Sequence, residues 1–148
     1  MREAMSLRDR ALGLLARREH TRAELRRKLA PHSEDPQELT ELLDELANHG
    51  WLSDARFAEA FVHDKQAKFG AVRLAYELRE RGVPDAVIRN QLGNLKETEL
   101  NRARQVWQTK FGALPEDAKA RAKQMRFLQS RGFSLDVIGK VLRGTFED

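Results

Sequence analysis

A constant offset of 50 residues carries one stretch of this chain onto another. Leu78-x-x-Arg81-Gly82-Val83-x-x-x-Val87-Ile88-x-x-x-Leu92 returns as Leu128-x-x-Arg131-Gly132-Phe133-x-x-x-Val137-Ile138-x-x-x-Leu142. Upstream, Phe57 and Phe61 return as Trp107 and Phe111 at the same offset. A period of this length encodes one supersecondary unit that buries its apolar face against its neighbours. It constrains the chain toward a stacked array with a long surface, rather than toward one compact helical bundle.

Each unit reads as three helices. Phe57 and Phe61, four residues apart, share one face of a first helix. A second starts near Gly70, carries Leu74 and Leu78 on one face and stops at Gly82, a residue suited to the left-handed position past a helix end. Val83 follows and can pack back on the last turn. Pro84 fits the first turn of a third helix, where its missing N–H costs nothing, and that helix buries Val87, Ile88 and Leu92. The last unit repeats the scheme from about Leu95, with Ser134 as the N-cap of its final helix.

The N-terminal segment is a looser copy. Leu7, Ala11, Leu14 and Leu15 form one helical face. Thr21 and Glu24 are spaced as a capping box, in which hydroxyl and carboxylate each satisfy an orphan N–H. Asp35-Pro36-Gln37-Glu38 opens a third helix with an N-cap, a proline at the first position and a second capping box. Leu39, Leu42, Leu43 and Leu46 make its apolar face, and Gly50 ends it. Alternating β-branched runs and Asn-Gly or Asp-Gly hairpins are missing. The expected fold is all-α: about nine helices in three tandem three-helix, helix-turn-helix-like repeats, elongated and curved. The expected units are 1–52, 53–94 and 95–148.

Charge is unevenly placed. Residues 1–33 hold nine Arg/Lys against four Asp/Glu, residues 34–64 one against nine, and residues 65–148 seventeen against ten. The net +4 therefore hides two basic stretches around an acidic helix. Basic stretches are the footprint of phosphate or acidic-protein binding, although Arg and Lys also simply solvate helix faces. The candidate contact residues lie mostly on the middle helices: Arg22, Arg26 and Arg27, then Arg73, then Lys119, Arg121, Lys123 and Arg126. Lys65 and Lys68 add charge at the entry to the second unit. Spacings of three, four and seven put Arg22 with Arg26, and Lys119 with Lys123 and Arg126, on shared faces.

Nothing in the chain reads as a catalytic or cofactor site. It has no cysteine, and its four histidines (His20, His32, His49, His63) fall at no metal-ligand spacing. No glycine-rich phosphate loop is present, and no cofactor or metal is expected. His20 and His49 sit at expected helix ends, where dipole contacts account for them. Trp51 is expected to fold back on the helix before Gly50, while Tyr76 lies off the buried stripe and is expected at the surface. No apolar run approaches the roughly 20 residues that span a bilayer, and no secretion signal is read at the start. A cytoplasmic protein is the expectation.

Three blocks resemble a known family in order along the chain. Ala11-Leu12-x-Leu14-Leu15-Ala16-Arg17-Arg18-Glu19-His20-Thr21-Arg22-x-Glu24-Leu25-Arg26-Arg27-Lys28-Leu29 resembles the opening of RecX regulatory proteins. Gly50-Trp51-Leu52-Ser53-Asp54-x-Arg56-Phe57-Ala58-Glu59-Ala60-Phe61-Val62 resembles their next block, and Met125-Arg126-Phe127-Leu128-Gln129-Ser130-Arg131-Gly132-Phe133-Ser134 their last. The resemblance implies tandem three-helix repeats and a bacterial, cytoplasmic, non-enzymatic regulator. It implies binding to the RecA recombinase, chiefly as its filament on single-stranded DNA, with restraint of ATPase, strand exchange and coprotease activity. DNA repair, homologous recombination and the SOS response are the implied setting. A monomer that also touches single- or double-stranded DNA is expected. From the residues alone two other classes stay open: a DNA-binding repeat protein acting without RecA, and a generic helical adaptor.

Overall fold

The computed structural model describes residues 5–144. Among them there are nine α-helices and no strand. The first unit holds α1 (Leu7–Arg17), α2 (Arg22–Leu29) and α3 (Pro36–Asn48), with a short 3-10 turn at Ala30–His32 after α2. The second holds α4 (Asp54–Lys65), α5 (Ala71–Glu80) and α6 (Asp85–Leu92). The third holds α7 (Lys96–Lys110), α8 (Ala118–Ser130) and α9 (Leu135–Leu142).

Local chemistry sets these boundaries. Thr21 and Glu24 form the full capping box at the start of α2. Ser134 accepts from the Val137 N–H at the start of α9. Gly82 and Gly132 have φ of +83° and +88°, and the N–H groups of Val83 and Phe133 reach back to the carbonyls of Leu78 and Leu128. Val83 and Phe133 are buried there, the apolar contact that accompanies this kind of helix end.

Three expectations change in detail. Pro84 is the N-cap of α6, one residue before its first turn, with φ −62° and ψ 146°. Its ring fixes φ but leaves ψ extended, which suits the residue just outside the helix. At α3 the Asp35 carboxylate accepts from the Gln37 N–H, one residue short of the capping-box position, and Glu38 makes no reciprocal bond. After Gly50 the buried residue is Leu52, while Trp51 is 43% exposed and stacks on His49 at 4.4 Å. Both N–H groups share the Leu46 carbonyl, so the chain turns far enough for the second residue to take the inward place.

Three apolar clusters form, one per unit. Leu25, Leu29, Leu43 and Leu46 centre the first; Leu74, Leu78 and Ile88 the second; Trp107, Leu128, Ile138 and Val141 the third. In the second and third units the first and last helices pack closely (α4 on α6, α7 on α9). In the first unit α2 lies between its neighbours, and α1 reaches α3 through the Arg8–Glu45 ion pair. Gln124 takes the place that Leu74 holds in the second unit, and its amide is satisfied by the Trp107 indole N–H at 2.8 Å and the Ala113 carbonyl at 3.1 Å.

Separate cores make an extended molecule. The accessible surface is 9741 Å², against roughly 7,700 Å² for a compact globule of this mass. Small-angle scattering should give a radius of gyration clearly above the ~15 Å of a compact chain this long. A value at that figure with a symmetric distance distribution would contradict the array.

Candidate partner-binding surface

The units meet through their middle helices. The carbonyl of Arg81, at the end of α5, accepts from the Thr21 hydroxyl at 2.6 Å, at the start of α2. One unit further on, the carbonyls of Arg131 and Gly132, past α8, accept from the N–H groups of Gly70 and Val72 at 2.8 and 3.1 Å. So α8, α5 and α2 meet end to end, the negative end of each dipole against the positive end of the next. A carboxylate from the following unit completes each joint. Asp54 accepts from the Arg22 N–H and Glu99 from the Ala71 N–H, both at 2.8 Å. Gly70 has no side chain with which to cap α5, so Glu99 supplies what it lacks.

Two arginines fasten these joints. Arg56 donates to the carbonyls of Gly50 and Trp51 and pairs with Glu19 in the first unit. Arg102 donates to the carbonyls of Gln66 and Phe69 at 2.8 and 2.9 Å. Sequence spacing offers no signal for the role of Arg102, because the Gln66 and Phe69 carbonyls come close to it only through stacking.

The ten candidate cations divide into two groups. Arg22 pairs with Asp44 at 2.6 Å and Arg26 donates to Thr40 at 3.2 Å, so both are held against α3. Arg73 lies 3.6 Å from Glu77, donates to the Ser130 carbonyl at 3.1 Å and covers the Phe69 ring. These three brace the fold. Arg27, Lys65, Lys68, Lys119, Lys123 and Arg126 are exposed and Arg121 is half-buried, without an ion pair or hydrogen bond among the described residues. Tyr76 is exposed as expected, at 58%.

Two of the histidines, His20 and His49, make contacts within the fold. His20 is buried, its Nδ1–H donating to the Arg18 carbonyl at 3.0 Å and its Nε2 accepting from Lys28 Nζ at 2.9 Å. Burial holds its pKa below the ordinary imidazole value against the opposing pull of its bond to the Arg18 carbonyl, and the charges of Arg18 and Lys28 push it the same way as burial. The expected dipole role therefore fails for His20. It precedes the positive end of α2, where a neutral ring fits and a cation does not. His49, the C-cap of α3, lies 3.9 Å from Glu45. Among the described residues no group of three or more His, Asp or Glu could hold a metal, and no helix is long and apolar enough to cross a membrane.

An end-to-end series of three-helix units defines a helical-repeat protein. The models of the first, second and third three-helix domains of RecX match residues 8–46, 53–92 and 97–142. The regulatory protein RecX of Leptothrix cholodnii is 49% identical over 142 residues, covering 96% of this chain and 90% of that one. That of Chromobacterium violaceum is 50% identical over 146 residues, covering 99% and 95%. The crystal structure of RecX from Lactobacillus salivarius superimposes with a TM-score of 0.81 at 19% identity, covering 94% of each chain. The chain belongs to the RecX family of regulatory proteins.

Proposed function

We propose that this protein binds the RecA recombinase filament on single-stranded DNA and restrains its ATPase, strand-exchange and coprotease activities, acting as a monomer in the bacterial cytoplasm. The observation that carries the reading is the set of unpaired cations spread over all three units of a rigid, extended family member. Lys119, Lys123 and Arg126 lie on one face of α8, free to meet DNA phosphates or acidic protein surface. With the three bracing arginines satisfied internally, the free cations of α8 and of the α4–α5 turn are the leading contacts. Inhibition arises by occupancy, so it is reversible, stoichiometric and weakened by salt.

The test titrates the full-length protein against RecA ATPase on single-stranded DNA. Complete inhibition near a fixed molar ratio is the expected result. Lys119→Glu with Lys123→Glu should raise the half-inhibiting concentration about tenfold and flatten its salt dependence. No inhibition by the unaltered protein at any ratio would overturn the reading.

A further inference from the structure

A cleft of about 410 Å³ opens between the second and third units. Lys68 stands on one side, on the turn between α4 and α5; facing it are Val106, Thr109 and Lys110 of α7, Phe127 of α8 and Arg131 just past α8. No carboxylate lines it. Neither Lys68, Lys110 nor Arg131 has an ion pair among the described residues. The larger cleft of the first unit differs in this respect, because Asp9 lies there among Arg10, Arg17 and Lys28. The cleft beside Trp51 likewise holds Glu19, which pairs with Arg56.

Two of the three cations of the inter-unit cleft, Lys110 and Arg131, lie against rings rather than acids. The Arg131 guanidinium lies 5.1 Å from the Phe127 ring centre and 5.8 Å from that of Phe69. Lys110 Nζ lies 5.4 Å from Phe127, whose ring is fixed in turn by edge contact with Phe111 at 5.5 Å. An aromatic face holds a cation without neutralising it. Three like charges around one cleft repel one another until an anion enters.

We propose that this cleft seats the backbone of a single-stranded nucleic acid, with phosphates on Lys68, Lys110 and Arg131 and a sugar or base against Val106 and Phe127. A strand carries a charge at every nucleotide, which suits cations spread over two units better than one peptide carboxylate does. The apolar floor selects against a duplex, whose bases are stacked away from the protein, and favours an unpaired strand. The cleft is walled by helices whose backbone groups are already bonded, so an extended peptide finds no strand edge to join. Lys68 alone was singled out by charge pattern. Lys110 and Arg131 join it only when the third unit docks on the second. The assignment rests on the filament reading for the source of the strand, but its test omits the recombinase, so the two stand or fall separately.

The measurement is fluorescence anisotropy of a labelled oligothymidine with the full chain alone, over a salt series, beside a duplex of equal length. Lys68→Ala with Lys110→Ala is compared with Lys96→Ala with Arg89→Ala, an equal loss of charge at exposed sites outside the cleft. The cleft pair should weaken single-strand binding about tenfold and lower the logarithmic salt slope by about 1.4, at roughly 0.7 for each phosphate contact. The control pair should change it less than twofold, and the duplex should bind more weakly than the single strand. Equal losses in both pairs, or equal affinity for duplex, would overturn the proposal. So would a cleft pair that keeps its single-strand affinity, because the strand would then sit elsewhere.

Discussion

Gly132→Ala should be among the most damaging single changes in this protein, destabilising it by about 2–5 kcal/mol. Two costs add. The residue has φ +88°, a conformation that costs an L-residue roughly 1–2 kcal/mol. A Cβ there would also lie less than 3.0 Å from the Cβ, N and Cα of Arg73, which are fixed by the start of α5. Overfilling a tight contact adds about 1–3 kcal/mol. Gly50 separates the two costs. Its φ is +77°, but nothing lies within 4 Å of the position its Cβ would take. Urea melts of Gly50→Ala should therefore show only the conformational loss, about 1–2 kcal/mol. Gly70→Ala meets backbone of Gly132 from the other side without the φ penalty, and should show the steric loss alone. Equal losses at Gly50 and Gly132 would mean that the inter-unit contact contributes little.

Leu128→Ala should cost about 2–5 kcal/mol, the range for a fully buried leucine, with the spread set by how far the site collapses. Leu128 is completely inaccessible and sits in the third cluster with Ile138 and Val141. Leu78→Ala should behave alike in the second. Leu135, 62% exposed, is the contrasting site, where the same truncation should stay within about 0.5 kcal/mol. Because each unit has its own core, the loss should also be local. Amide exchange in Leu128→Ala should quicken over α7–α9 and at the start of α5, and much less in α1 and α3. Uniform quickening along the chain would show one cooperative globule.

The helices and their grouping were legible because they depend on near neighbours in sequence. Leu74 and Leu78 define a face, Gly82 ends it and Thr21 with Glu24 opens another, all within a few residues. The joints were not legible. Glu99 caps α5 from 28 residues away and Asp54 caps α2 from 32, and no local pattern marks either carboxylate as a cap. The same blindness affected the cations. Arg22 and Arg26 have the spacing of a binding face, yet Asp44 and Thr40, one turn apart on α3, take them both. Trp51 and Leu52 could not be ordered by hydrophobicity, since the turn after Gly50 decides which of them points inward. His20 misled for a related reason: its position beside a helix end was readable, but its burial was not.

The end-to-end joints have a consequence for how such a molecule meets a partner. Glycine contact, carboxylate cap and arginine fastener recur between units, so the outline of the molecule is settled before any encounter. Segments that order themselves on binding surrender conformational entropy at that moment, and their affinity falls accordingly. A chain already jointed into its working outline has that cost behind it. The joints also have a direction. Asp117 caps α8 by accepting from the Ala120 N–H, as Thr21 caps α2 by accepting from the Glu24 N–H, whereas Asp54 and Glu99 reach the first N–H of α2 and α5 from the next unit. Of the three middle helices only α5 lacks a side-chain cap of its own, so its start depends on the unit that follows.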